Sequence, residues 1–88
     1  MKHYKTMLRV FLSAYAESLR KARNLSQEQM AELLKITPRA YSNLKNGKFC
    51  FSILPLLCML LLLDDNEFNA FQEDLRDNLK ALEATLES

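Results

Sequence analysis

Across residues 4–22 the apolar positions Tyr4, Leu8, Phe11, Leu12, Tyr15, Leu19 and Ala22 recur mainly at steps of three and four, the period of one face of an α-helix. Lys5, Arg9, Ser13, Glu17, Arg20 and Arg23 fall on the opposite face. The pattern predicts a first helix of about five turns that ends near Arg23-Asn24, because asparagine tolerates the left-handed conformation of a helix exit. Ser26 then opens a second helix. With Gln29 three residues on it forms an S-x-x-Q capping box, followed by the apolar stripe Met30, Leu33 and Leu34 and the small Ala31. This helix should stop near Leu34-Lys35. Thr37 caps a third helix, about 38–46, with Pro38 at the first helical position, where a missing N–H costs nothing. Tyr41 and Leu44 face inward, Arg39, Ser42, Asn43 and Asn46 face outward, and Gly47 supplies the left-handed exit.

Residues 53–63 are apolar throughout. Their length is about half of the ~20 residues needed to cross a bilayer, so the run predicts a buried fourth helix, capped by Ser52. A helix apolar on every side should be covered by its neighbours or by a second subunit. Asp64 and Glu67 repeat the capping logic for a fifth helix. There Phe68, Phe71, Leu75, Leu79, Leu82 and Leu86 step by 3, 4, 4, 3 and 4, one stripe along about six turns.

Composition sharpens this to a single all-α domain over residues 1–88. The chain has 88 residues, one glycine and two prolines, too little turn chemistry for a many-stranded fold. The net charge of +1 hides a division: residues 1–48 carry ten bases and three acids, residues 49–88 two bases and eight acids. A basic half beside an acidic one suits a nucleic-acid binder with a separate pairing or solvated element. Cys50 and Cys58, with a single histidine, support neither a zinc set nor a disulfide framework. They are expected to be reduced, buried thiols of a cytoplasmic protein. No secretion signal is expected, since Arg9 and Glu17 interrupt the first helix. No His-assisted nucleophile, glycine-rich phosphate loop or metal set is visible, so the expected protein is not an enzyme and takes no cofactor, metal or evident small-molecule ligand.

Residues 25–48 therefore outline two short helices joined by a tight turn, a helix-turn-helix. The major groove of duplex DNA is about 12 Å wide and admits one helix, whose N-terminal side chains meet base edges while the preceding helix spans the phosphates. Arg39 can give two parallel donors to guanine, and Asn43, one turn later, can pair with adenine. Thr37 and Ser42 can donate to bases or phosphates, and Pro38 offers apolar contact. The start of the second helix, with Gln27, and the exit Lys45-Asn46-Gly47-Lys48 offer phosphate partners.

The segments 19–23 (LRKAR), 25–31 (LSQEQMA), 41–44 (YSNL) and 46–48 (NGK) resemble the Xre/Cro-like helix-turn-helix family of phage repressors. That resemblance implies a lambda-repressor-type fold of about five helices over a core of residues 12–63, here with extended N- and C-terminal helices. It implies that Gln27, Thr37, Pro38, Arg39, Ser42 and Asn43 occupy positions used on DNA, with Asn46 and Lys48 near the backbone. Three positions depart from the family pattern. The turn Leu34-Lys35-Ile36 lacks glycine, so a residue with a side chain must make the bend. Lys45 stands where an acid commonly pairs with a base of the first helix, here Arg20, so Arg20 must turn to Glu17 or await a phosphate. Pro38 removes a polar group, which narrows base reading to Arg39, Ser42 and Asn43. The expected function is a sequence-specific transcriptional regulator binding double-stranded DNA as a homodimer. Its pairing surface is expected in the terminal extensions, residues 1–12 and 66–88, the C-terminal helix (64–88) being the candidate dimerisation element. The alternative is a protein-interaction module, antitoxin-like or regulatory, that keeps the fold without binding DNA.

Overall fold

The computed structural model describes residues 2–87; Met1 and Ser88, the outermost residues of the two extensions, lie outside the described residues. Five helices follow in order: α1 (Lys2–Ala22), α2 (Gln27–Leu33), α3 (Pro38–Lys45), α4 (Ile53–Leu61) and α5 (Asp65–Glu87). Among the described residues there is no strand. The fold is all-α and fits a lambda-repressor-like arrangement.

One device ends each of the first three helices. A residue in the left-handed region follows the helix, and the next N–H returns to a carbonyl five residues back, which is the Schellman arrangement. Asn24 (φ 56°), Lys35 (φ 63°) and Gly47 (φ 75°) occupy the left-handed position. The returning bonds are Leu25 N–H to Arg20 O (3.0 Å), Ile36 N–H to Ala31 O (3.0 Å) and Lys48 N–H to Asn43 O (2.9 Å). Asparagine and glycine adopt this conformation readily. Lys35 does so against a steric cost of about 1–2 kcal/mol, and the bend expected of a residue with a side chain is made there.

The helix starts are equally explicit. Ser26 accepts from Gln29 N–H at 3.0 Å while the Gln29 side chain accepts from Ser26 N–H at 2.8 Å. Asp64 and Glu67 repeat that exchange at 2.8 and 2.9 Å. Thr37 accepts from Ala40 N–H at 3.0 Å. Ser52 stands at the α4 N-cap as expected, but its side chain makes no cap bond.

The core joins Leu12, Ala16 and Leu19 of α1 to Met30, Ala31, Leu34, Tyr41, Met59 and Phe71. Phe71 fastens α5 onto α1 through Phe11 and Tyr15, with ring centroids 5.6 and 4.9 Å away, within the range of favourable aromatic pairs. Arg23, at the end of α1, donates to Leu62 O (2.8 Å) and to Glu67 Oε1 (2.6 Å). It thereby ties together the exit of α1, the end of α4 and the start of α5.

Three expectations are corrected and a fourth is narrowed. Ser13, placed on the polar face, is buried and donates to Leu44 O at 2.6 Å. The α1 helix packs on both α3 and α5, so its covered sector is wider than a single stripe. Ala22, placed in the stripe, is exposed because it lies in the last turn of α1. Cys50 is exposed and Cys58 half-buried rather than both buried. Finally, α4 buries Pro55 and Met59 but leaves Ile53, Leu54, Leu57 and Leu61 open, so neighbours within the chain do not cover it all round. Among the described residues no helix is long and apolar enough to cross a membrane.

Candidate nucleic-acid interface

The α3 helix is divided lengthwise. Tyr41 and Leu44 are buried against α1 and α2, whereas Thr37, Pro38 and Arg39 at its N-terminal end are exposed. Ser42 and Asn43 are half-buried along the same helix, and Lys45, Asn46 and Lys48 are exposed at its exit. Gln27, the first residue of α2, is half-buried. Arg39, Lys45 and Lys48 thus stand out from a segment, residues 37–48, that carries no acid. The Thr37 oxygen accepts the α3 cap bond, which leaves its O–H proton available as a donor.

A carboxylate fixes how α3 sits on the body. Glu17 Oε2 accepts from Arg20 Nε at 2.9 Å and from the Tyr41 hydroxyl at 2.5 Å, while its Oε1 accepts from Arg20 Nη2 at 3.0 Å. Arg20 also donates through Nη1 to Leu25 O at 2.9 Å. Its fork is therefore spent within the domain and is not held open for a phosphate. The bond from Arg20, with the Tyr41 hydroxyl and the charges of Arg20 and Lys45, holds the Glu17 carboxyl down at about 2 against the opposing effect of burial. Burial, and after it the bond to Glu17, pushes the Tyr41 hydroxyl well above the ordinary tyrosine value.

This resolves the like-charge problem posed by Arg20 and Lys45. Arg20 pairs with Glu17, one turn back along α1, and Lys45 adds only its charge to the field that lowers the Glu17 carboxyl. The i,i+3 spacing of Glu17 and Arg20 is visible in the sequence. The participation of Tyr41 is not, since it depends on the angle at which α3 crosses α1. The second carboxylate of this kind, Glu67, is drawn below its usual range first by the backbone bond from Asp64 and then by Arg23.

Residues 17–67 match the family model described as a helix-turn-helix domain, more than half of the chain. No significant match to a curated protein or to a solved structure accompanies it. The matched span runs from Glu17 to Glu67 and contains α2, the Lys35 turn and α3. The chain belongs to the helix-turn-helix domain family, and with it to a class of domain that points to DNA-binding regulation.

Proposed function

We propose that the protein is a sequence-specific transcriptional regulator, acting in the cytoplasm as a homodimer, that sets α3 into the major groove of double-stranded DNA. The observation that carries this reading is the lengthwise division of α3: a buried face that the domain needs, and an exposed, acid-free face that it does not. Arg39 offers a bidentate fork to guanine and Asn43 an amide to adenine. Thr37 and Ser42 add single donors, and Pro38 packs against a base edge such as a thymine methyl. Gln27 at the start of α2 and Lys45, Asn46 and Lys48 at the exit of α3 meet phosphates, which set position and affinity without reading sequence.

An eight-residue helix is about 12 Å long and reads only a few base pairs. Two copies on half-sites about 34 Å apart supply the rest of the specificity. The acidic α5 belongs on the side away from DNA.

A fluorescence-anisotropy titration with duplexes from the region upstream of the protein's own reading frame, repeated over a salt series, tests the reading. Binding should weaken steeply with salt, and Arg39→Ala should relax sequence preference at a cost of about 1–3 kcal/mol. Absence of binding at low salt, or an unchanged preference in Arg39→Ala, overturns it and leaves the protein-interaction module as the reading of the fold.

A further inference from the structure

The α4 helix presents an apolar strip to solvent. Ile53, Leu57 and Leu61 stand four residues apart on one side, flanked by Leu54, and they are 76, 51, 83 and 57% exposed. Phe68 of α5, 38% exposed, continues the strip. Leu57, Leu60, Leu61 and Leu63 with Asp65 and Phe68 line a groove of about 510 Å³ between α4 and α5. These exposures amount to roughly 600 Å² in one contiguous patch, at the upper limit of what monomeric proteins leave uncovered. The chain as a whole exposes 6080 Å², whereas a monomeric protein of 10.2 kDa exposes about 5,300 Å². The surplus is of the same order as the patch.

We propose that this strip is covered by a second copy of the chain, packed antiparallel about a two-fold axis that passes Leu57. The inference rests on the homodimer of the preceding reading and deepens it by moving the pairing surface from the terminal extensions to α4 and the start of α5. Three features favour a second copy as the occupant. First, about 600 Å² from each of two chains gives about 1,200 Å², the lower end of stable specific interfaces. Second, the strip is self-complementary under a two-fold rotation, as an isologous contact requires. With Leu57 on the axis, each Ile53 meets the other copy's Leu61, since both lie four residues from it. Third, antiparallel packing sets the exposed Asp64-Asp65 pair at the end of one α4 beside the first turn of the other. That turn contains no acid, and its Ser52 side chain makes no cap bond, so negative charge is favourable there.

Sedimentation velocity at micromolar concentrations should give the mass of two chains for the wild type and of one chain for Leu57→Asp, with the helical circular dichroism unchanged. Leu57 is half exposed in the single chain, so the substitution leaves the core intact. If Leu57→Asp loses helical signal, Leu61→Asp is read in its place. A wild type at one-chain mass, whether or not some other protein binds the face, overturns the proposal, as does a folded α4 variant that still pairs.

The register has its own readout. In a Cys50→Ser, Cys58→Ser background oxidised with diamide, Leu57→Cys should cross-link to its copy. Ile53→Cys should not, because in an antiparallel pair its two copies lie about 12 Å apart, beyond disulfide reach. Cross-linking of Ile53→Cys without Leu57→Cys overturns the antiparallel arrangement. Loss of DNA binding alone is separable: a dimer that fails to bind any duplex sinks the regulator and leaves this interface standing.

Discussion

Replacing Glu17 by glutamine tests how α3 is fixed to the body. The carboxylate receives two donors from Arg20 and one from Tyr41, and glutamine keeps the shape while removing the charge and turning an amide N–H₂ toward a guanidinium that can only donate. Its carboxyl lies at about 2 rather than 4.5 in the folded chain, which by linkage sets an upper bound of about 3.4 kcal/mol on the stability it confers. The side chains of the pair keep 17% of their surface in water, and solvent screening brings the expected cost of Glu17→Gln to about 2 kcal/mol at pH 7. For a domain of this size that is a fall of about 8–16 °C in Tm. Because the folded value lies below the unfolded one, the contribution is fully present above about pH 4.5 and is lost as pH falls through about 2. Urea unfolding of both proteins, followed by circular dichroism from pH 7 to pH 2, should show a gap that narrows on acidification. The difference between the two isolates this carboxylate from Glu67, which is also drawn down. A gap that stays constant from pH 6 to pH 2, or one below about 0.5 kcal/mol at pH 7, refutes the role given to Glu17.

Three further outcomes follow from the same geometry. Lys35→Gly relieves the left-handed strain at the α2–α3 turn and should stabilise the domain by about 0.5–1 kcal/mol after allowing for the added freedom of the unfolded chain; an unchanged urea midpoint would contradict the strain. Asp64→Ala removes the side chain that accepts from Glu67 N–H and should cost about 1 kcal/mol, read as a lower urea midpoint. Lys48→Ala should weaken DNA binding alike for all sequences and reduce the slope of log affinity against log salt by about one, measured in the anisotropy titration; a loss confined to one sequence would count against a phosphate contact.

Much of the fold could be read from local chemistry. Ser26 with Gln29, Asp64 with Glu67 and Thr37 before Pro38 each specify a helix start within four residues, and all three make the expected bonds. The left-handed Lys35 could be anticipated because no glycine was available where the chain had to turn. The errors arose where a residue's surroundings depend on segments distant in sequence. Ser13 is polar yet buried because Leu44, 31 residues away, brings a carbonyl to it. The open side of α4 was hidden for a different reason: a helix apolar all round does not indicate which side the rest of the chain covers. In the site, the exposure of Arg39 and the burial of Tyr41 and Leu44 follow from helical spacing alone. The arrival of the Tyr41 hydroxyl on the Glu17–Arg20 pair depends on how two helices cross, which no short-range pattern encodes.

The division of α3 also bears on how such a protein can diverge. Stability draws on Tyr41 and Leu44, while Pro38 and Arg39 add nothing to the buried core. Changing Arg39 therefore alters the surface offered to a partner without altering whether the chain folds, and a library randomised at that position should consist almost entirely of folded proteins. Each change of surface chemistry at Arg39 is tried on an intact scaffold, with no loss of stability to be repaired afterwards.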